Sequence, residues 1–258
     1  IMHNIKLWSP NNKKTNLHNF INQLDRGLNI NNYDDLHNWS IKHKNEFWSN
    51  VWDFTNFVGE KKGKIFKSAA EFTKNKFFDE CNINYAENCL TREDDDDSII
   101  FHSEKKINRN YSWRELRSAV FKFANYLKNN NIKKNDRIAA ILPNIPETVI
   151  SFLSTAQLGA IWSSCSSDFG KKAIIDRFKQ IEPKVLLFSD YYFYNNKKVD
   201  TTKVIKDVIY NIPSIEKVIL IPYEFNETDY HLDFEYDNFY NILQQEIEYS
   251  NFEKFNFN

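Results

Sequence analysis

The spacing of apolar positions along this chain switches between the period of a helix and that of a strand, and the switches lay out an architecture. Leu17, Phe20, Ile21 and Leu24 recur at three- and four-residue steps, which predicts a short amphipathic helix in a polar N-terminal stretch. One longer helix is expected from Asp34 to about Phe57. Asp34 and Asp35 suit its first turn, where negative side chains oppose the positive end of the helix dipole. Its Leu36, Trp39, Ile41, Phe47, Trp48, Val51, Trp52 and Phe54 give a broad aromatic face that reads as packing surface. Ser98–His102 and Ile107–Tyr111 are β-like runs around a polar turn at residues 104–106, a hairpin pattern.

The next helix announces its start. Ser112-Trp113-Arg114-Glu115 is a capping box, in which the serine hydroxyl accepts from the Glu115 N–H and the glutamate reaches back to the Ser112 N–H. Leu116, Val120, Phe123, Ala124 and Leu127 then form the stripe of a helix packed on a sheet. Arg137 to Leu142 is an almost continuous apolar run, the pattern of a strand buried on both faces. Pro143 ends it, and Pro146 sits in the first turn of a helix reaching about Leu158. Strand patterns follow at 160–163, 184–188 and 217–221, with helices at 171–181 and 201–210 between them and a final helix from Phe239 to about Glu248. Residues 223–237 are acidic and aromatic and read as surface loop. Strands separated by helices mean right-handed βαβ units. The expected fold class is α/β: a parallel sheet with flanking helices, plus a helical N-terminal extension.

Composition narrows this picture. The chain has 258 residues, 41% of them hydrophobic, which is ample for a packed core. Thirty-four basic against 35 acidic residues leave a net charge of -1, so no nucleic acid or anionic membrane partner is expected on electrostatic grounds. No apolar run approaches the ~18–20 residues of a membrane span, and residues 1–4 carry no signal pattern. The three cysteines, Cys81, Cys89 and Cys165, form no disulfide framework and no zinc spacing, which points to free thiols in a cytoplasmic setting. Ile1 ahead of Met2 suggests that the chain boundary is not a natural start.

Candidate chemistry lies at the carboxyl ends of the strands, where parallel sheets bind ligands. The segment from Gly159 to Gly170, with Trp162, Ser163, Ser164, Cys165, Ser166, Ser167, Asp168 and Phe169, offers hydroxyls, backbone amides and an aromatic face. Asp190 to Lys198 adds tyrosines, a phenylalanine and two lysines, either a cradle for adenine and phosphate or an ordinary surface connection. Gly59 to Lys64 misses the phosphate-loop pattern by one residue and reads as a polar turn. Glu93 to Asp97 reads as a solvated acidic loop. Cys165 has no neighbouring histidine and reads as a structural thiol. No catalytic acid, base or metal ligand can be picked out.

Several of these segments resemble those of the acetoacetate–CoA ligases (acetoacetyl-CoA synthetases), a branch of the adenylate-forming acyl-CoA synthetases. They are Asn84-Tyr85-Ala86-Glu87-Asn88, Tyr111 to Leu116, Leu142 to Thr148, and above all Trp162 to Gly170 followed by Asp176-Arg177-Phe178 and Gln180 to Val185. Trp39-Ser40 and Phe47-Trp48 are similar to the helical extension of that group. The resemblance spans residues 8–257. It implies a helical extension over residues 1–92 and a partial AMP-binding domain over residues 93–258, the N-terminal portion of the adenylate-forming fold. The implied reaction joins acetoacetate to CoA through an adenylate, with ATP and Mg²⁺ as cofactors. CoA would contact Trp162, Ser163, Ser164, Tyr194 and Lys197, although an arginine is usual in the family where Tyr194 stands. The glycine-rich phosphate loop, the catalytic lysine and the mobile C-terminal domain of the family have no counterpart here. The chain is therefore expected to be an N-terminal fragment, inactive alone and poorly soluble. A ligase for another short acyl acid, or a non-catalytic module that binds CoA or a protein partner, remains open.

Overall fold

In a computed structural model of the protein, the residues described are 8, 15–24, 26–104, 107–224, 231–246 and 251–256. They form two compact units, the first from the described residues up to Ile83 together with Phe255 and Asn256, the second from those between Asn84 and Lys254.

The first unit is built from aromatic packing. Helix α1 (Asn16–Gln23) starts at Thr15, whose hydroxyl accepts from the His18 N–H at 3.2 Å. Phe20 and Leu24 point inward as the spacing predicts, while Leu17 remains exposed. The single helix expected from Asp34 is two: α2 (Tyr33–Lys42), capped by Asn32, and α3 (Lys44–Phe54). His43 breaks them apart at φ −121°, ψ 58°. In a continuous helix Trp39 and Phe47 would stand about 12 Å apart along the axis. The break folds α3 back so that their rings meet edge-on at 6.0 Å, closing a cluster with Phe20, Leu24 and Leu36. The gain in buried aromatic surface outweighs helix continuity. Strands β1 (Phe66–Lys67), β2 (Lys76–Phe77) and β3 (Asn82–Ile83) are short. The turn at residues 59–64 holds no phosphate-loop geometry. Lys61 pairs with Asp53 on α3 at 2.6 Å, and Gly63 takes φ +66°, where a Cβ would collide with Glu80.

The second unit begins one residue later. Asn84 caps α4 (Tyr85–Cys89) and donates to the carbonyls of Gln157 and Glu253 at 2.9 and 2.7 Å. Ala86 and Leu90 are buried in the main core of this unit. Residues 84–92, expected with the helical extension, thus pack with the α/β unit. The acidic stretch is solvated as expected: Arg92 pairs with Asp94 and Asp96, and Arg114 with Asp95, all on the surface.

Hairpin β4 (Asp97–His102) and β5 (Asn108–Ser112) leads into α5 (Trp113–Asn129), whose capping box forms as predicted. The order continues β6 (Arg137–Ile141), α6 (Pro146–Gln157), β7 (Ile161–Cys165), α7 (Lys171–Lys179), β8 (Val185–Ser189), β9 (Tyr191–Tyr194), β10 (Lys197–Asp200), α8 (Thr202–Asn211), β11 (Lys217–Ile221), β12 (Asp237–Asn238) and α9 (Phe239–Leu243). The expected end of α9 near Glu248 lies outside the described residues, as does the middle of the 223–237 loop. Strand β13 (Phe255–Asn256) belongs to the first unit and pairs antiparallel with β3.

A five-stranded parallel sheet in the order β12-β11-β8-β6-β7 forms the centre of the second unit. Residue alternation explains its two covered faces. Ile138, Ala140, Val185, Leu187, Ile219 and Ile221 point to one side, where α5, α6 and α9 lie. Ala139, Ile141, Leu186, Phe188, Val218 and Leu220 point to the other, beneath α7 and α8. Burial on both faces is why these strands read as apolar runs. The order reverses between β6 and β8, and ligands of such sheets sit at the carboxyl side of that reversal.

Candidate functional site

Three segments leave the carboxyl ends of β6, β7 and β8. After β6, Pro143 and Pro146 turn the chain into α6 and deliver Glu147 into its first turn. Glu147 is fully buried. Arg109 on β5 grips it with both terminal nitrogens, at 2.6 and 3.1 Å. The Tyr240 hydroxyl donates to it at 3.0 Å and that of Tyr111 at 3.2 Å, while Arg109 also donates to the Tyr240 oxygen at 2.9 Å. Burial, reinforced by the Glu147 charge, pushes the phenols of Tyr111 and Tyr240 well above their ordinary range. Burial alone would disfavour the Arg109 charge, but Glu147 and Tyr240 outweigh it and raise the pKa. This cluster joins hairpin, helix and α9. Its charges are matched within itself, so it holds the frame rather than offering a group for proton transfer. Sequence patterning alone does not single it out. The available signal is Arg109 and Tyr111 alternating on one strand face, with a glutamate at the start of the helix after a buried strand.

Strand β7 runs two residues further than its apolar pattern suggests, because Ser164 and Cys165 pair in register with Ala140 and Ile141. Trp162 and Ser164 therefore share one strand face, and the indole N–H donates to the Ser164 hydroxyl at 3.1 Å. Trp162 stands edge-on to Phe152 at 6.2 Å. Ser163 sits on the opposite face of the strand, beside Ala139. Cys165 is buried, which raises its thiol to about 11 even though Arg177 pulls the other way. It is protonated at neutral pH, in keeping with a structural thiol. Arg177 itself stacks over Phe169 at 5.1 Å in the following loop.

After β8 the chain forms a hairpin, not an irregular loop. Asp190 is buried and its carboxylate accepts the N–H groups of Tyr191 and Tyr223 at 2.9 and 2.8 Å, tying the ends of β8 and β11 together. The Thr201 hydroxyl bonds the Ser189 and Asp190 carbonyls, so both feet of the hairpin are rooted. At its tip Asn195 and Asn196 both take positive φ, 48° and 61°, the geometry of a two-residue hairpin turn. Pleating sorts the side chains. Tyr191, Phe193 and Lys198 share the inward face, where the Lys198 ammonium lies 3.5 Å from the Tyr191 ring centre. Tyr192, Tyr194 and Lys197 share the other, with Lys197 directly opposite Tyr194. Burial first, then the nearby Asp168 charge, raises the Tyr192 phenol, so this face looks toward the loop that follows β7.

The five residues expected at the site thus form two groups, Trp162 with Ser164 and Tyr194 with Lys197, while Ser163 faces away from Trp162. Among the described residues, no hydrogen bond, ion pair or ring contact joins one group to the other. Both rise from the same edge of the sheet, and Tyr194 and Lys197 are exposed there. Among the described residues no helix is long and apolar enough to cross a membrane.

A parallel sheet reversed in this way, with polar strand ends and a braced hairpin, defines a ligand-binding α/β scaffold, and comparison with known proteins narrows the class. A family model described as AMP-binding enzyme matches residues 86–239, and the chain belongs to that family. Among curated proteins it is similar to the acetoacetyl-coenzyme A synthetase of Rhizobium meliloti (strain 1021), 36% identical over 197 residues, covering 76% of this chain and 30% of that protein. It is equally similar, at 36% over 225 residues, to the acetoacetyl-CoA synthetase of Xenopus tropicalis, covering 84% and 33%. Among solved structures, acetoacetyl-CoA synthetase from Streptomyces lividans superposes with a TM-score of 0.85 at 27% identity, covering 95% of this chain and 38% of that one. The chain spans about a third of the length of the curated relatives it matches.

Proposed function

We propose that this chain is the CoA-presenting part of an acetoacetate–CoA ligase. The observation that supports the reading is the pairing of that similarity, which runs over most of the chain, with a carboxyl sheet edge on which Ser164, Tyr194 and Lys197 are exposed and Trp162 is half-buried. In the proposed reaction an acetoacetate oxygen attacks the α-phosphorus of MgATP, and pyrophosphate leaves. The CoA sulfur then attacks the acyl carbon of the adenylate. Its proton is lost, and the bond to AMP breaks.

Within that reaction, the residues of this chain bind and orient. The Lys197 ammonium would pair with a phosphate of the CoA nucleotide. Trp162 offers an apolar face to adenine or pantetheine, and the Ser163 and Ser164 region offers hydroxyls and backbone at a strand end. The Tyr194 ring, opposite Lys197, adds a flat surface in place of the arginine that the family usually carries. The chemistry at phosphorus needs Mg²⁺ and a phosphate loop, for which these 258 residues show no sequence pattern. On this reading the chain alone binds CoA but releases no pyrophosphate.

Acetoacetate- and CoA-dependent AMP release by the protein of the complete reading frame tests the reaction. Turnover with acetoacetate above acetate and propionate is expected; preference for another short acid would overturn the acetoacetate reading, and no turnover with any acid the ligase reading. Titration of CoA against Lys197→Ala and Trp162→Ala tests the site, and unchanged affinity in both would sink it.

A further inference from the structure

The hairpin that carries Lys197 is held at its tip by another hairpin. Glu104, in the turn that follows β4, reaches the β9–β10 turn and accepts the Asn196 N–H at 2.8 Å on one carboxylate oxygen and the Asn195 N–H at 3.3 Å on the other. Both donors point at one carboxylate because both residues take positive φ. Successive backbone N–H groups in such a turn form a concavity that favours negative charge. The clamp itself is fixed. Ser103 closes the β4–β5 turn, its backbone N–H donating to the Ile107 carbonyl at 3.0 Å and its hydroxyl accepting the Ile107 N–H at 3.2 Å. Further down the same hairpin, Arg109 and Tyr111 are locked to the buried Glu147. A chain of contacts therefore runs from the interior, through hairpin β4–β5, to Glu104, to the turn one residue before Lys197.

We propose that Glu104 is a positioning residue for CoA: by clamping the Asn195–Asn196 turn it fixes where the Lys197 ammonium meets a phosphate of the nucleotide. The inference rests on the reading that Lys197 pairs with CoA. An unclamped turn would sample more positions, and the ion pair would have to order it on binding. The alternative is electrostatic. A carboxylate this near a phosphate site repels the ligand, and its removal would then tighten binding.

The experiment uses the protein of the complete reading frame. Glu104→Ala is expected to raise the KM for CoA about three- to tenfold, the scale of one ordinary net hydrogen bond, because the clamp acts on the ligand only through the turn. Adenylate formation, read as pyrophosphate release without CoA, stays unchanged. Glu104→Gln, which keeps an acceptor oxygen, falls between. In the Lys197→Ala background Glu104→Ala adds nothing, because the clamp acts through that lysine. Amide hydrogen exchange at Asn195 and Asn196 quickens in Glu104→Ala while the core amides of β6 and β8 keep their protection, which shows that the fold is intact. An unchanged or lowered KM in Glu104→Ala, or a full additional loss on top of Lys197→Ala, overturns the proposal. If Lys197→Ala alone leaves the KM unchanged, the CoA reading of Lys197 fails, and the positioning role fails with it. If Lys197→Ala raises the KM and Glu104→Ala does not, only the positioning role fails.

Discussion

Between hairpin β4–β5 and helices α6 and α9, Arg109, Tyr111 and Tyr240 all bond the buried Glu147. At the end of β7 and beside the tip of hairpin β9–β10, Ser164, Tyr194 and Lys197 stand in water. Both regions belong to the carboxyl side of one sheet. The difference separates frame from contact. A buried charge is tolerated only when it is paired and hydrogen-bonded, so the first cluster has its hydrogen-bonding capacity largely spent on itself. An exposed lysine or hydroxyl gives up only water when a ligand arrives. Polar residues near a strand end are therefore poor evidence of a site until their partners are known.

The comparison breaks most visibly at Glu147. Glu147→Ala leaves the Arg109 charge in the interior without its partner, and a loss of about 3–5 kcal/mol of stability is expected in urea unfolding of the full protein. A loss below about 1 kcal/mol would mean that water reaches the cluster and that the frame reading fails. Next comes Asn84→Ala, which removes a helix cap and two side-chain bonds to the Gln157 and Glu253 carbonyls. About 2 kcal/mol should go, without change in CoA affinity. Lys197→Ala sharpens the other side. Its stability should stay within about 0.5 kcal/mol of the parent, since the side chain is exposed, while CoA binding weakens. A destabilised Lys197→Ala would assign that lysine to the frame.

A smaller effect concerns pH. The Cys165 thiol is raised to about 11 from an ordinary 9.0 by burial. Below pH 9 the thiol is protonated folded or unfolded, and contributes no pH dependence. Between 9 and about 11 the unfolded chain has lost the proton and the folded chain keeps it, so stability falls as pH rises through that window. In the same protein, alkylation of Cys165 at pH 8 should be on the order of a hundredfold slower folded than unfolded, from the thiolate fractions alone. Equal rates would show an accessible thiolate and reopen a reactive role for this cysteine.

Much of the second unit was legible in one dimension. Strands β6, β8 and β11 announce themselves because burial on both faces demands unbroken apolar runs. Helix α5 does so because its capping box is a local contact among four residues. The misses have a common cause. The break at His43 has no glycine or proline to mark it; it exists because Trp39 and Phe47 gain a ring contact that a continuous helix denies them. The β9–β10 hairpin turns on an Asn–Asn pair, a weak signal in a chain rich in asparagine throughout. The Glu147 cluster draws on residues 109, 111, 147 and 240, and no window of local sequence contains it.

The sequence by itself determined the strand–helix alternation of the second unit, the capped start of α5 and the motif-bearing strand end from Trp162 to Gly170, because each follows from contacts or periodicities within a few residues. Tertiary structure alone decided which polar groups are spent and which are offered. Glu147 and Asp190 vanish into pairing, Lys198 lies down on Tyr191, and Lys197 is turned to the open face by the pleat of a hairpin whose tip another segment holds. Such assignments depend on distances between residues far apart in the chain, and only the folded packing sets them.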